Sequence, residues 1–451
     1  MADLKQIFNN TKLTENGDIA YTTTGDKLVD ILFLTEYYQN HLDKVPKLGI
    51  SAKEKLFSMF IRDPRFGLGK RDLGRVLMKD SEVNINNIIK VGRYDDLWQM
   101  YKNSEEFFKV ADLLFDKIVN NDQLAKKWMP RYSSKDKETA LKFMRQWKMN
   151  KQQYSKFIKA NTTEYKMSLH KYEDIDFEKV PSLAMLKYYN AWSRKPETSE
   201  RFSKYLEDVK SGKKDLKVST STVYDIYRNR DKIDPDLFFN KIEKISGNWI
   251  PILDTSGSMQ DYNDSIGKAT SIAHYLAKCS TYMPDYVITF SSRPQLLSLQ
   301  HDNKREYIDG FGWWEHQNTS LLKSQYAKEI ARLYTGDCSN TDLKKVMQLL
   351  QNLDKENAPE YLIVLSDMEF DMGSIHSKDE TMKIFKENNF NTKIIWWNFN
   401  SRNITCPEMD NYGNIFLSGY NPMLLKYLSV NFDAKLFLEE LLKEYYNNVS
   451  K

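Results

Sequence analysis

The feature that most constrains the fold is a change of hydrophobic period near residue 247. From about residue 26 to about 245, apolar residues return every three or four positions in blocks such as KLVDILFLTEYYQNHL, EEFFKVADLLFDKIVNN and SLAMLKYYNAWSR. That spacing lays an apolar stripe along one face of a helix, and alternating β-branched runs are scarce there. Downstream, short apolar runs alternate with helical patterns: NWIPIL, DSIGKATSIAHYLAKCS, DYVITFSS, TDLKKVMQLLQNL, EYLIVLSD, DETMKIFKENNF, TKIIWWNFN and NIFLSG. Apolar strands separated by helices predict a mostly parallel sheet covered on both faces. The expected architecture is multidomain. An all-α, helical-repeat (HEAT-like) region occupies 1–245, although no strict period marks the repeats. An α/β doubly wound, Rossmann-like domain occupies 246–451, with an insertion near 300–337.

Ligands of open parallel sheets bind beyond the carboxyl ends of the strands, and the polar signatures of this chain fall there. Directly after NWIPIL comes DTSGSM, Asp254 to Met259. A carboxylate and two hydroxyls, Asp254, Ser256 and Ser258, are spaced two apart on a tight glycine-containing loop at a helix start. Such a set offers hard oxygen ligands to one point, as Mg²⁺ or a similar divalent cation requires. Two further loops carry suitable residues: Thr341 with Asp342 in CSNTDL, and Asp367 after the strand YLIVLS. As a bare hexapeptide, DTSGSM is also compatible with an Asp-initiated helix cap.

DTSGSM, followed by a loop threonine and a strand-end aspartate, resembles the metal-ion-dependent adhesion site (MIDAS) of von Willebrand factor A domains. The resemblance implies that Ser256, Ser258 and Thr341 ligate Mg²⁺ through their hydroxyls, with Asp254 and Asp367 acting directly or through water. It also implies that an acidic group of a protein partner fills the remaining position. The helical half carries ENGDIAYTTTGDKLVDILF, FIRDPRFGLGKRDLGRVL and VGRYDDLW. These strings resemble the start of the Ro-type (TROVE) RNA-binding proteins. They are more similar to a TROVE-like family of plants and large DNA viruses that joins such a region to a C-terminal von Willebrand A domain. LSDMEFD, IIWWNFN and LSGYNPMLLKYL resemble the same family. The resemblance implies a ribonucleoprotein component whose helical region binds structured or noncoding RNA.

The charge distribution agrees in sign with that implication. The 451 residues carry 66 Lys plus Arg and 62 Asp plus Glu, but residues 1–250 hold 46 and 36 of these and the remainder 20 and 26. The helical half is therefore +10 and the rest −6. Arg62, Arg65, Lys70, Arg71 and Arg75 cluster around FGLGK, with Arg93 nearby, and are the candidate phosphate contacts. Two binding functions follow as expectations: RNA binding through the basic helices, or a structural, protein-clasping role through the ion, including in a virus particle. A mean hydropathy of −0.63 and the lack of a long apolar run argue against a membrane span. No secretory signal is visible, and three scattered cysteines, Cys279, Cys338 and Cys406, read as reduced thiols, so the expected setting is cytoplasmic, or a virion if the chain is viral.

Several motifs are set aside. GLGKRD lacks the spacing of a phosphate loop and follows a helical pattern. His274 reads as a packed residue, Glu369 and Asp371 as a solvated loop, and no nucleophile elbow accompanies the serines, so catalysis is not expected. Trp396 and Trp397 read as core, whereas Trp313 and Trp314, in the polar insertion, are compatible with a surface anchor as one of their readings.

Overall fold

The computed structural model describes residues 11–450 apart from 219, 261–262, 302–321, 335–336, 401–402, 409–412 and 429–432. Trp313, Trp314 and most of the 300–337 insertion lie outside the described residues. The chain forms two compact units, one of Met1–Pro46 with Ser221–Glu444, the other of Lys47–Thr220 with Tyr445–Lys451. Neither coincides with the expected spans 1–245 and 246–451. Helical periodicity tells which face of a helix is buried, not what covers it, and two stretches of the amino-terminal half belong with the sheet. Phe33 packs edge-on against Phe416, with ring centroids 5.3 Å apart. The Tyr224 hydroxyl donates to Asp264 at 2.8 Å, at the start of helix Ser265–Cys279.

Redrawn on these units, the charge asymmetry widens. The helical unit holds 38 Lys plus Arg against 24 Asp plus Glu, a net +14, and the sheet unit 28 against 38, a net −10.

The sheet unit opens with a two-stranded antiparallel hairpin, β1 (Thr11–Leu13) and β2 (Ile19–Tyr21). The main sheet follows: β3 (Trp249–Asp254), β4 (Tyr286–Phe290), β5 (Gln295–Ser298), β6 (Tyr361–Ser366), β7 (Lys393–Asn398) and β8 (Ile415–Ser418). Its order is β5-β4-β3-β6-β7-β8, parallel throughout except for the antiparallel edge pair β4–β5. Every residue of β3 and β6 is buried, as a sheet covered on both faces demands. Because β4 and β6 flank β3 on opposite sides, the chain leaves β3 at the point where strand order reverses. In doubly wound sheets that is where the crevice forms. Trp396 and Trp397 are fully buried in β7, as expected of core residues.

The helical unit is built from sequential neighbours such as Ala52–Arg62 with Arg71–Asp80, and Ser182–Arg194 with Pro196–Lys210. Several of its helices start on side-chain caps, including Ser51, Asn84 and Asn150, which supply acceptors to otherwise unpaired first-turn amides. Aromatic clusters such as Phe107, Phe143 and Trp147 fill the space between helices. Among the described residues no helix is long and apolar enough to cross a membrane.

Candidate metal centre

Asp254 ends β3 and is fully buried. Its Oδ1 accepts the Ser256 amide at 2.9 Å and its Oδ2 accepts the Ser366 hydroxyl at 2.5 Å. Ser256 and Ser258 bring their hydroxyl oxygens within 3.1 Å of one another. Asp367, directly after β6, is buried too, and its Oδ1 accepts the Glu369 amide at 3.4 Å. Its Oδ2 is buried with no hydrogen-bond partner among the described residues. Parallel pairing of β3 with β6, in the register Leu253 to Leu365, delivers the two strand ends side by side.

The Thr341 loop comes in from the other side. A Cβ on Gly257 would lie 2.9 Å from the Cys338 carbonyl oxygen, so the two loops touch at backbone level and only glycine fits there. The Thr341 carbonyl accepts the Asp371 amide at 3.1 Å, which ties this loop to the one after β6. All five candidate ligands thus lie on three adjoining loops at the carboxyl edge of the sheet.

Burial pushes the Asp254 carboxyl well above the usual carboxylate range, against hydrogen bonds from Ser256 and Ser366 that lower it. Burial also pushes Asp367 up, and the nearby Asp254 charge adds to it. Two carboxylates crowded in a dry site are unfavourable until a positive charge joins them. Among the described residues no group of three or more His, Cys, Asp or Glu side chains is placed to hold an ion. The set here has two carboxylates and three hydroxyls, the ligand chemistry of a hard cation that keeps part of its water. The backbone is strained beside it: Met368, buried and following Asp367, has φ +68°, which a side-chain-bearing residue adopts at a cost of about 1–3 kcal/mol.

Two features of the site were not read from the sequence. One is Ser366, whose hydroxyl orients Asp254; the pairing of β3 with β6 places it there, and serine beside the strand-end aspartate was the available signal. The other is the hairpin turn Thr14–Asp18, which lies along the loop after β6. Asn16-Gly17 between strand-like residues is a hairpin signature, and Gly17 takes the left-handed φ of +89° it requires. Glu369, expected in a solvated loop, is instead buried, accepting the Glu15 amide at 2.8 Å and the Asn403 side chain at 3.3 Å. A buried carboxylate held by amides is a structural group. His274 is packed as expected, its Nε2 2.6 Å from Glu329 and both buried. Burial lowers the His274 pKa, while the hydrogen bond and charge of Glu329 act to raise it.

The candidate phosphate contacts fare differently. Arg62 is buried and donates to Asp96 through Nε and Nη2 at 3.0 and 2.6 Å. Arg75 reaches Asp72, Asp95 and Asp96. Arg93 pairs with Asp95 and stacks on Trp128 with its guanidinium 3.8 Å from the ring centre. Lys70 is buried. Only Arg65 and Arg71 are about half exposed, beside Asp63 and Asp72. A sequence cluster of cations is here a folded ion network. The helices on either side of FGLGK cross at close range: a Cβ on Gly74 would come within 2.8 Å of the Arg62 Cα.

Residues 108–230 match a family described as a domain of unknown function (DUF2828), and residues 248–444 match another, DUF7788. The chain is similar to uncharacterized protein L728 of Acanthamoeba polyphaga mimivirus, at 24% identity over 92% of this chain and 84% of that one. It is also similar to a crystal structure of the Ro (RSR) protein of Deinococcus radiodurans. That match has a TM-score of 0.47 and 10% identity, covering 95% of this chain and 100% of the other.

Proposed function

We propose that this chain works by binding rather than catalysis, and that its sheet unit is a von Willebrand A-like module holding Mg²⁺ or another divalent cation at Asp254, Ser256, Ser258, Thr341 and Asp367. The observation that carries this reading is the unpartnered, buried Oδ2 of Asp367 beside the equally buried Asp254. A purely structural strand-end aspartate would have its oxygens satisfied, as the helix-cap alternative requires. When bound, the ion supplies a positive centre for an acidic group of a protein partner. The chain's own part is to neutralise and orient it: Ser366 fixes Asp254, and the strained turn at Met368 sets the strand-end carboxylate beside it. No His, Lys or Tyr is placed by a described hydrogen bond on these carboxylates to act as a proton-transfer group, which favours binding over hydrolysis.

Titration of the intact protein with Mn²⁺, followed by loss of the free-ion electron paramagnetic resonance signal, tests this. One saturable site is expected, weakened more than ~100-fold by Asp254→Ala or Asp367→Ala, a larger loss than outer-shell changes cause. In chelator, Asp367→Asn should leave the melting temperature unchanged or raised, because it removes repulsion. A lowered melting temperature in chelator with no Mn²⁺ binding by the parent protein would sink the reading.

A second reading is favoured by a separate observation, the net +14 of the helical unit. A surplus of that size attracts polyanions, and exposed lysines lie on tyrosine rings in this unit, Lys137 and Lys151 both on Tyr132. These groups suit a structured RNA better than the ion-paired arginines do.

A further inference from the structure

The hairpin formed by β1 and β2 meets the ion site through hydrogen bonds spanning more than 300 residues of sequence. The Thr14 hydroxyl donates to the Phe370 carbonyl at 2.8 Å. The Glu15 amide donates to Glu369 Oε2 at 2.8 Å. Asn16 Nδ2 donates to Thr341 Oγ1 at 3.3 Å and to the Glu369 carbonyl at 2.6 Å. Gly17 and Asp371 form an antiparallel bridge. The Asp18 carboxylate accepts the Gly373 and Ile375 amides at 3.2 and 2.8 Å, so it caps the helix Ser374–Glu387 from 355 residues away. At the hairpin's far end, Tyr21 and Cys406 exchange backbone hydrogen bonds.

These contacts are unequal in kind. Asp18 and Tyr21 anchor the hairpin, and their described hydrogen bonds reach no candidate ligand. Among the described hydrogen bonds of the hairpin, those of Asn16 join a candidate ligand side chain, Thr341, to the backbone two residues beyond another, Asp367. Its orientation follows from chemistry: the Glu369 carbonyl can only accept, so the amide nitrogen must face it, and the second N–H is left for Thr341. A threonine hydroxyl has two acceptor lone pairs. With one taken by Asn16, the rotor is held and the other remains for a cation.

We infer that the amino-terminal hairpin is the outer shell of the ion site, with Asn16 as the positioning residue that holds the Thr341 hydroxyl against the loop carrying Asp367. This rests on the ion-binding reading above and assigns the site a component far from its motif in sequence. Outer-shell partners of metal ligands typically contribute 10–100-fold to ion affinity.

Mn²⁺ titration of the full chain, with hydrogen exchange read at individual amides, is the test. Asn16→Ala should weaken Mn²⁺ binding by ~10–100-fold, and Asn16→Gln, which keeps the two-proton donor, should recover part of the loss. The Gly373 and Ile375 amides should stay protected in Asn16→Ala, since Asp18 still caps them; that separates positioning from detachment of the hairpin. Adding Mg²⁺ to the parent protein should slow exchange at the Glu15 amide. If Asn16→Ala binds Mn²⁺ as the parent does while Thr341→Ala does not, the inference fails and the ion site stands. If the parent binds no ion, both fail. If affinity drops only together with lost protection at Gly373 and Ile375, and Asn16→Gln recovers nothing, Asn16 is a structural anchor and the inference is overturned.

Discussion

At the scale of single residues, this protein spends charge inward in two opposite ways. In the sheet unit Asp254 and Asp367 are buried and, among the described residues, no basic side chain is hydrogen-bonded to them, which is the charge balance the proposed cation would restore. In the helical unit Asp96 is equally buried but fully compensated, by Arg62, Arg75 and the Arg93 amide. Burial alone would raise the Asp96 pKa; the two guanidiniums and that amide overcome it and hold the carboxyl below its usual value. The sign of the linkage follows. A depressed folded-state pKa gives stability that is present above the unfolded value, about 3.9, and lost as pH falls through the folded one. Asp96→Asn should therefore destabilise the protein at neutral pH by about 3–5 kcal/mol, because it strands the buried Arg62 charge. Its deficit relative to the parent should shrink below about pH 4. Urea unfolding at pH 7 and at pH 3 measures both; a deficit independent of pH would mean that packing, not charge, is lost.

At the scale of elements, the fold was legible where burial is two-sided and illegible where a partner had to be known. The runs WIPIL, YVITF, YLIVLS and KIIWWN became strands because a strand covered on both faces is apolar at most positions instead of at every second one. Asp254 and Asp367 were singled out because strand ends of such a sheet collect ligands, and both do lie at the carboxyl ends of adjacent strands. β5 and the hairpin were missed because short edge pairs carry little apolar signal. The hairpin's role was hidden further because its contacts are to loops more than 300 residues on. The arginine cluster misled for the same reason: sequence proximity showed the cations together but not the aspartates that Tyr94–Tyr101 brings to them. The close crossing of Ala52–Arg62 and Arg71–Asp80 gives a test at this scale. Gly74→Ala drives a methyl against the Arg62 backbone and should cost about 1–3 kcal/mol, although alanine is the better helix former by about 1 kcal/mol. A urea midpoint equal to or above that of the parent would show that the helices can part at no cost.

At the scale of the whole molecule, a chain with a net charge of only +4 consists of units at +14 and −10, and a binding measurement should see the units rather than the sum. A nearly neutral protein would bind a polyanion weakly and with little salt dependence. A +14 unit releases counterions for each phosphate that its exposed cations meet, so the logarithm of affinity falls linearly with the logarithm of salt, by roughly 0.7 per contact for a single strand and 0.9 for a duplex. The arginines around FGLGK should contribute little to that slope, because their charge is committed to Asp72, Asp95 and Asp96. Lysines stacked on tyrosines, Lys137 and Lys151 on Tyr132 and Lys159 on Tyr165, are the better placed groups. Filter binding of a structured RNA from about 50 to 200 mM salt should give a steep slope. Lys137→Glu with Lys151→Glu should flatten it by about one to two contacts, with chelator making no difference. Binding that is absent at the lowest salt would end the RNA reading and leave the ion site as the protein's binding surface. Binding abolished by chelator would move the polyanion from the basic unit to the metal centre, where two buried carboxylates accept an anion only when a cation stands between.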